Sequence, residues 1–264
     1  MDNAPAPAAS PAPSDELIGV GSLLSSATTV TLDNAGVIFG VWAVCGLPPQ
    51  LLGMALSARA GLADKNALRA AFESRDWSVL GPLAAIGAVS LIFGLFGYAT
   101  TVLLTARAHQ GRPLALGDAL FGGAGRVISS AVASVIVACA VLSGTLAFVI
   151  PGLFLMVRLS LAVCATAVEE AGPFTAVARS WTLTSGHFWD VVVRMGAFVG
   201  VALAGMVAVI FGGLILGALA ALAGGPGAIA ARLIVNAFQF MLTAWVTACV
   251  TKLFLDLASR RPAA

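Results

Sequence analysis

A chain of 264 residues that is 59% hydrophobic and only 10% charged falls far short of the roughly 25% charge of soluble domains, and it cannot bury so much apolar surface in one core. Its net charge of +2 gives no basic field for nucleic acid, so that partner class is excluded. The four cysteines, Cys45, Cys139, Cys164 and Cys249, lie in apolar runs at no metal-ligand or redox spacing, so they read as buried free thiols with no metal or cofactor implied.

Residues 1–14 are rich in Pro, Ala and Ser and lack the basic start and apolar core of a secretory signal; they read as a disordered tail. A membrane domain over 15–258 follows, then a short tail at 259–264. No charged residue occurs from Ser78 to Ala106, Val127 to Val157, Met195 to Ala231 or Leu233 to Thr251. Each run holds about 20 or more residues, enough for a helix to cross a bilayer.

Six spans are predicted, at about Gly36–Ser57, Val79–Ala106, Val127–Phe148, Leu153–Val168, Val191–Leu222 and Ile229–Leu255. Pro48-Pro49 should kink the first. A short surface helix is expected over Ala67–Phe72. Pro151-Gly152 and Gly224-Gly225-Pro226-Gly227 read as tight turns.

Ahead of each pair of spans stands a segment of intermediate polarity, at Ile18–Asn34, Leu116–Arg126 and Pro173–Trp189. These read as amphipathic elbow helices lying in the cytoplasmic interface. Elbow then hairpin, three times over, is either a threefold repeat or a coincidence of order; the sequence similarity between units does not decide. With the N-terminus inside, Arg107, Arg112, Arg126, Arg179, Arg194, Lys252, Arg260 and Arg261 lie on the inner side, against Arg59, Lys65, Arg69, Arg75 and Arg232 outside. That balance favours both termini in the cytoplasm.

Polar residues inside the apolar runs are the candidate ligand-binding residues. Arg158 lies six residues past Gly152, within the fourth span. An Arg at a helix centre costs about 2.5–3.5 kcal/mol to insert. It therefore faces a cavity or a lipid phosphate, or it serves structure by meeting backbone carbonyls or snorkelling. Arg232, Asn236, Gln239, Thr243, Thr247 and Thr251 recur at spacings of three or four and share one face of the sixth span. That stripe either lines a polar cavity shared with Arg158 or hydrogen-bonds to neighbouring helices.

Glu169, Arg179, Ser180 and His187 form an elbow network, with Glu169 able to pair with Arg179 across the turn at Gly172-Pro173. Capping and interfacial charge pairing is the plain role. A general acid–base role would need a nucleophile or metal beside His187, and no catalytic residue is assigned. Gly36/Gly40, Gly196/Gly200 and Gly213/Gly217 have the GxxxG spacing of close helix contacts. Packing within one chain is the first expectation, and a homo-oligomer is not indicated. Trp77 and Trp189 read as interfacial anchors.

The stretch from Pro151 to Asp190 carries a resemblance. Pro151-Gly152, Arg158, Glu169, Gly172, Ala178-Arg179-Ser180 and Leu183-Thr184-Ser185-Gly186 ahead of Phe188-Trp189 resemble the core of the glycerophosphoryl diester phosphodiesterase membrane-domain family and of related six-helix bacterial membrane proteins. Gly117-Asp118-Ala119-Leu120 is similar to that family's entry to its second elbow. The resemblance spans about residues 18–256. It implies an all-α polytopic fold in a bacterial inner membrane, and the Ala/Gly/Leu-heavy composition agrees with a bacterial source. The family's phosphodiesterase activity belongs to a separate soluble barrel that clusters Glu, Asp and His around a metal. These residues include only His109 and His187, so that activity is not carried over.

The expected protein is thus a non-enzymatic integral membrane protein that binds a lipid or amphiphile, or supports an envelope partner. Membrane lipids and a membrane protein are its expected partners. A small transporter or passive channel is the alternative, followed by an intramembrane hydrolase.

Overall fold

Apolar runs that enter lipid must satisfy every backbone N–H and C=O within the segment, and an α-helix does so. The computed structural model describes residues 17–59, 69, 72–223 and 225–260. Among these there is no β-strand. The helices are α1 (Val20–Asp33), α2 (Ala35–Cys45), α3 (Leu47–Arg59), α4 (Trp77–His109), α5 (Leu116–Ala124), α6 (Val127–Ala147), α7 (Val149–Leu159), α8 (Ala162–Val168), α9 (Pro173–Thr184), α10 (Phe188–Ala223) and α11 (Gly225–Arg260). Six segments are long and apolar enough to cross a membrane: Ala35–Ala55, Trp77–His109, Val127–Ala147, Val149–Val168, Phe188–Ala220 and Gly227–Arg260. The chain is an all-α, multi-pass membrane protein. The expected tail at 1–14 lies outside the described residues, as does most of the surface helix expected over Ala67–Phe72. α11 continues to Arg260, two residues past the expected end of the membrane domain.

Two spans are composite, and local chemistry explains where they break. The first divides at Gly46, whose N–H donates to the Trp42 carbonyl at 2.7 Å. Pro48 and Pro49 then fall in the first turn of α3, where a missing N–H is harmless. The fourth divides between α7 and α8, because α7 ends at Leu159 and α8 begins at Ala162. At 11 residues α7 is about 16 Å long, so it completes a span only together with α8.

The structure corrects two expected turns and the end of one expected elbow helix. Phe148 alone, extended at φ −161 and ψ 147, reverses the chain between α6 and α7. Pro151 and Gly152 instead lie inside α7. A Cβ on Gly152 would come within 2.8 Å of the Thr145 backbone, so glycine is what lets α6 and α7 approach this closely. Gly225, Pro226 and Gly227 belong to the start of α11. The third short helix stops at Thr184, short of the expected Trp189. Gly186 carries the reversal at φ 87, and Phe188-Trp189 opens α10.

A short helix precedes each pair of apolar helices. α1 buries Leu23, Ala27 and Thr31 and packs along α11. α5 packs on α4, where a Cβ on Gly123 would sit 2.2 Å from the Thr100 hydroxyl. α9 buries Ala176, Ser180, Leu183 and Thr184 against α8, α6 and α7. The main core unites α1 (Leu23, Ala27), α4 (Val102), α8 (Cys164, Ala165), α9 (Ala176, Leu183), α10 (Val191, Phe198) and α11 (Leu253, Phe254, Leu257). Burial therefore concentrates near the short helices.

The rest of the long helices exposes large apolar side chains, among them Leu91, Ile92, Leu146, Ile150, Phe211 and Leu214. Lipid is the solvent that tolerates such a surface. The GxxxG expectation holds only in part. Gly40 meets Leu116 and Gly213 meets Val235, while Gly36, Gly196, Gly200 and Gly217 face open space. Cys139 is exposed, contrary to the expectation of four buried thiols.

Candidate functional site

A broken helix strands backbone groups, and the break between α7 and α8 is closed from outside by a side chain. The fully buried Ser180 hydroxyl of α9 donates to the Arg158 carbonyl at 2.7 Å and accepts from the Leu161 N–H at 3.2 Å. One side chain thereby replaces part of the missing helical ladder and ties α9 to α7 and α8. Ser180 is committed to backbone, and no hydrogen bond joins it to His187. His187 instead lies 3.7 Å from Asp190 through Nδ1.

The same contact places Arg158 at the C-terminal end of α9. Its Nη1 donates to the Ser185 hydroxyl at 3.0 Å and reaches the Thr184 hydroxyl at 3.5 Å. Those hydroxyls donate their own protons to the Trp181 and Ser180 carbonyls, so their lone pairs are free for the guanidinium. Three aromatic rings surround the cation: its central carbon lies 5.2 Å from the Phe154 ring, 5.1 Å from Trp181 and 5.4 Å from Phe188. Each such contact is worth about 0.5–2 kcal/mol, depending on desolvation. Among the described residues no carboxylate pairs with Arg158, and its buried Nε has no hydrogen-bond partner. Arginine cannot shed its charge. The result is a half-buried cation without a counter-ion among the described residues, next to Phe188, whose ring meets that of the exposed Trp189.

The stripe on α11 is elsewhere. Asn236 donates to the Arg232 carbonyl, Thr243 to that of Gln239 and Thr247 to that of Thr243, all on their own helix. Thr251 is buried and accepts from Thr105 of α4 at 3.3 Å. Arg232 and Gln239 are exposed and line a mainly apolar groove of about 390 Å³ between α10 and α11, with Gly213, Val235 and Leu242. Arg158 does not line it, and no hydrogen bond joins Arg158 to the stripe. The cavity expected to combine the two is therefore two separate places. The lower stripe serves helix packing, and the upper stripe faces outward.

Glu169 and Arg179 meet across the Gly172-Pro173 turn in a bidentate contact along one guanidinium edge, with Nε to Oε2 at 3.1 Å and Nη2 to Oε1 at 3.1 Å. A second pair, Arg126 with Glu170, links the start of α6 to the end of α8, and Glu170 takes φ 55 to reach it. Sequence reasoning missed a third network. Arg194 of α10, only 8% exposed, donates to the Ile18 carbonyl at 2.7 Å and the Leu17 carbonyl at 2.9 Å. Asp256 of α11 accepts from the Ile18 N–H at 3.1 Å. The segment before α1 is thus held by the last hairpin. Charged residues just beyond the ends of two apolar runs, Arg194 before Met195 and Asp256 after Thr251, were the available signal.

The aromatic ring around Arg158 was also missed. Phe154 lies four residues before it on the same helix face and was legible; Trp181 and Phe188 come from other helices and were not. Among the described residues no group of three or more His, Cys, Asp or Glu is placed to hold a metal. The chain matches no protein-family model, no curated protein and no solved structure.

Proposed function

We propose that this multi-pass membrane protein binds an amphiphile with an anionic head at Arg158, as a non-enzymatic binding protein or as support for an envelope partner. The observation that carries this is the uncompensated guanidinium, ringed by Phe154, Trp181 and Phe188 and open to no carboxylate among the described residues. An anion completes such a site by charge-assisted hydrogen bonds, and the aromatic faces accept the adjoining apolar part of the molecule. The stripe on α11 is no longer part of this site.

The bacterial inner membrane and cytoplasmic termini belong to the same proposal. The excess of Lys and Arg on the inner side supports them. Interfacial elbows in a threefold repeat are supported by element order and by the large apolar residues that the short helices expose: Leu32, Phe121 and Phe174. Membership in the glycerophosphoryl diester phosphodiesterase membrane-domain family rests on the motif between Pro151 and Asp190, which builds the Arg158 site. The backbone commitment of Ser180 weighs against a hydrolase.

The test is native mass spectrometry of the detergent-purified protein, with lipidomics on what remains bound. The wild type should retain a chemically narrow anionic amphiphile, Arg158→Leu should lose it, and Gln239→Leu should keep it. Retention of the same molecules by a folded Arg158→Leu variant refutes the site. Arg158→Lys, which keeps charge without the planar fork, should recover binding only in part.

A further inference from the structure

A second polar place lies far from α7. Where α1, α4 and α11 meet, a cleft of about 540 Å³ opens between His109 and Gln110 at the end of α4 and Lys252, Asp256, Ser259 and Arg260 of α11. It is much larger than a water molecule's share of liquid volume, about 30 Å³. It also sits in the last turns of two of the six candidate spans, Trp77–His109 and Gly227–Arg260. Span ends are where hydrocarbon gives way to headgroups.

The polar groups of the cleft divide into those already engaged and those open to a ligand. Both oxygens of Asp256 are taken, Oδ2 by the Ile18 N–H at 3.1 Å and Oδ1 by Arg260 at 3.4 Å. The Ser259 hydroxyl donates to the Asp256 carbonyl. His109 holds the Ala248 carbonyl through Nε2 at 3.1 Å, which places the proton on that nitrogen, and its Nδ1 faces the Ser26 hydroxyl at 3.4 Å. His109 therefore forms wall rather than binding group. Lys252 remains. It lines the cleft, and among the described residues neither a carboxylate nor a hydrogen-bond acceptor engages its ammonium. The Gln110 side-chain amide stands opposite as a neutral donor. Among the described residues that line the cleft, Lys252 is thus the cation that no carboxylate pairs.

We infer that this cleft binds a phosphate ester, with Lys252 as the charge partner and Gln110 as a neutral donor. The phosphate belongs either to a membrane lipid headgroup or to a soluble phosphate ester. The position at two span ends favours the headgroup. This site is independent of the Arg158 proposal.

The experiment uses the full chain in detergent, with binding of dioleoyl phosphatidylglycerol and dioleoyl phosphatidylcholine followed by native mass spectrometry, and with glycerol 3-phosphate as soluble competitor. Lys252→Gln should weaken phosphatidylglycerol binding by about tenfold or more, as expected for one lost charge-assisted contact. Lys252→Arg should restore it, and Gln110→Ala should weaken it less. Displacement by glycerol 3-phosphate alone supports the phosphate site and assigns it to a soluble ester; resistance to displacement assigns it to the lipid. Arg158→Leu should leave this component of binding unchanged, so either site can fail alone. Equal binding to wild type and to a Lys252→Gln variant with unchanged melting temperature overturns the inference.

Discussion

The Ser180 hydroxyl donates to the Arg158 carbonyl at 2.7 Å, and the Ser180 Oγ accepts from the Leu161 N–H. This contact makes a broken helix tolerable and sets the level at which α9 crosses α7. Ser180→Ala leaves two backbone groups without their partner in a site that excludes water. The expected loss is about 1–3 kcal/mol per unsatisfied group. Thermal unfolding in detergent should show a lowered midpoint together with faster hydrogen exchange at Leu161. An unchanged midpoint would mean that the break is satisfied by another route.

The clamp on the segment before α1 predicts a local effect. Arg194→Leu removes the donors to the Leu17 and Ile18 carbonyls and leaves Asp256 as the side chain that hydrogen-bonds that stretch among the described residues. Hydrogen exchange across Ile18–Leu23 should accelerate, while α6 and α7 keep wild-type protection. Acceleration spread evenly over all helices would instead assign Arg194 a global role.

Glu169 and Arg179 are a partly buried pair, at 24% and 14% side-chain exposure. Breaking such a pair from one side takes a charged partner away from the other, at about 1–3 kcal/mol before solvent screening. Glu169→Gln and Arg179→Gln should each destabilise, and the double variant should cost less than their sum. A double-mutant cycle on unfolding midpoints measures the difference. Full additivity would show no coupling across the turn.

Asp76 offers a titration outside the spans. It caps α4 by accepting from the Ser78 hydroxyl at 2.7 Å and the Ser78 N–H at 3.0 Å, which hold its carboxyl below the usual carboxylate range. A lowered folded value stabilises the folded cap above the unfolded carboxylate pKa of about 3.9, and that contribution is lost as pH falls through the folded value. The Asp76 carboxyl resonance should therefore titrate below about 3.9, and Ser78→Ala should raise its midpoint. An identical midpoint in both proteins would remove the side-chain hydrogen bond as the cause.

Arg158 shows how far a sequence reads toward a site. Its isolation within an apolar run marked it as exceptional, because an arginine in lipid is costly wherever it points. Its direction depended on α9, whose C-terminal turn supplies Ser185 and Trp181 at 27 and 23 residues' separation. The stripe on α11 has the opposite history. Helical spacing did put Arg232 through Thr251 on one face, but one face of a long helix meets different surroundings along its length. Thr251 meets α4, while Arg232 and Gln239 border an open groove.

Composition and periodicity alone determined the membrane class, the all-α fold and six spans close to their observed bounds. The reason is that lipid acts on each segment separately: apolar length and internal hydrogen bonding decide whether a helix inserts, without reference to the rest of the chain. Only the tertiary structure decided that Phe148 rather than Pro151-Gly152 makes the third reversal, that Ser180 closes a helix break, and that Arg158 keeps company with Phe154, Trp181 and Phe188 instead of the α11 stripe. Those outcomes depend on which helix faces which. In a membrane that choice is made by close packing and a few polar contacts between distant residues, and neither leaves a local mark in the sequence.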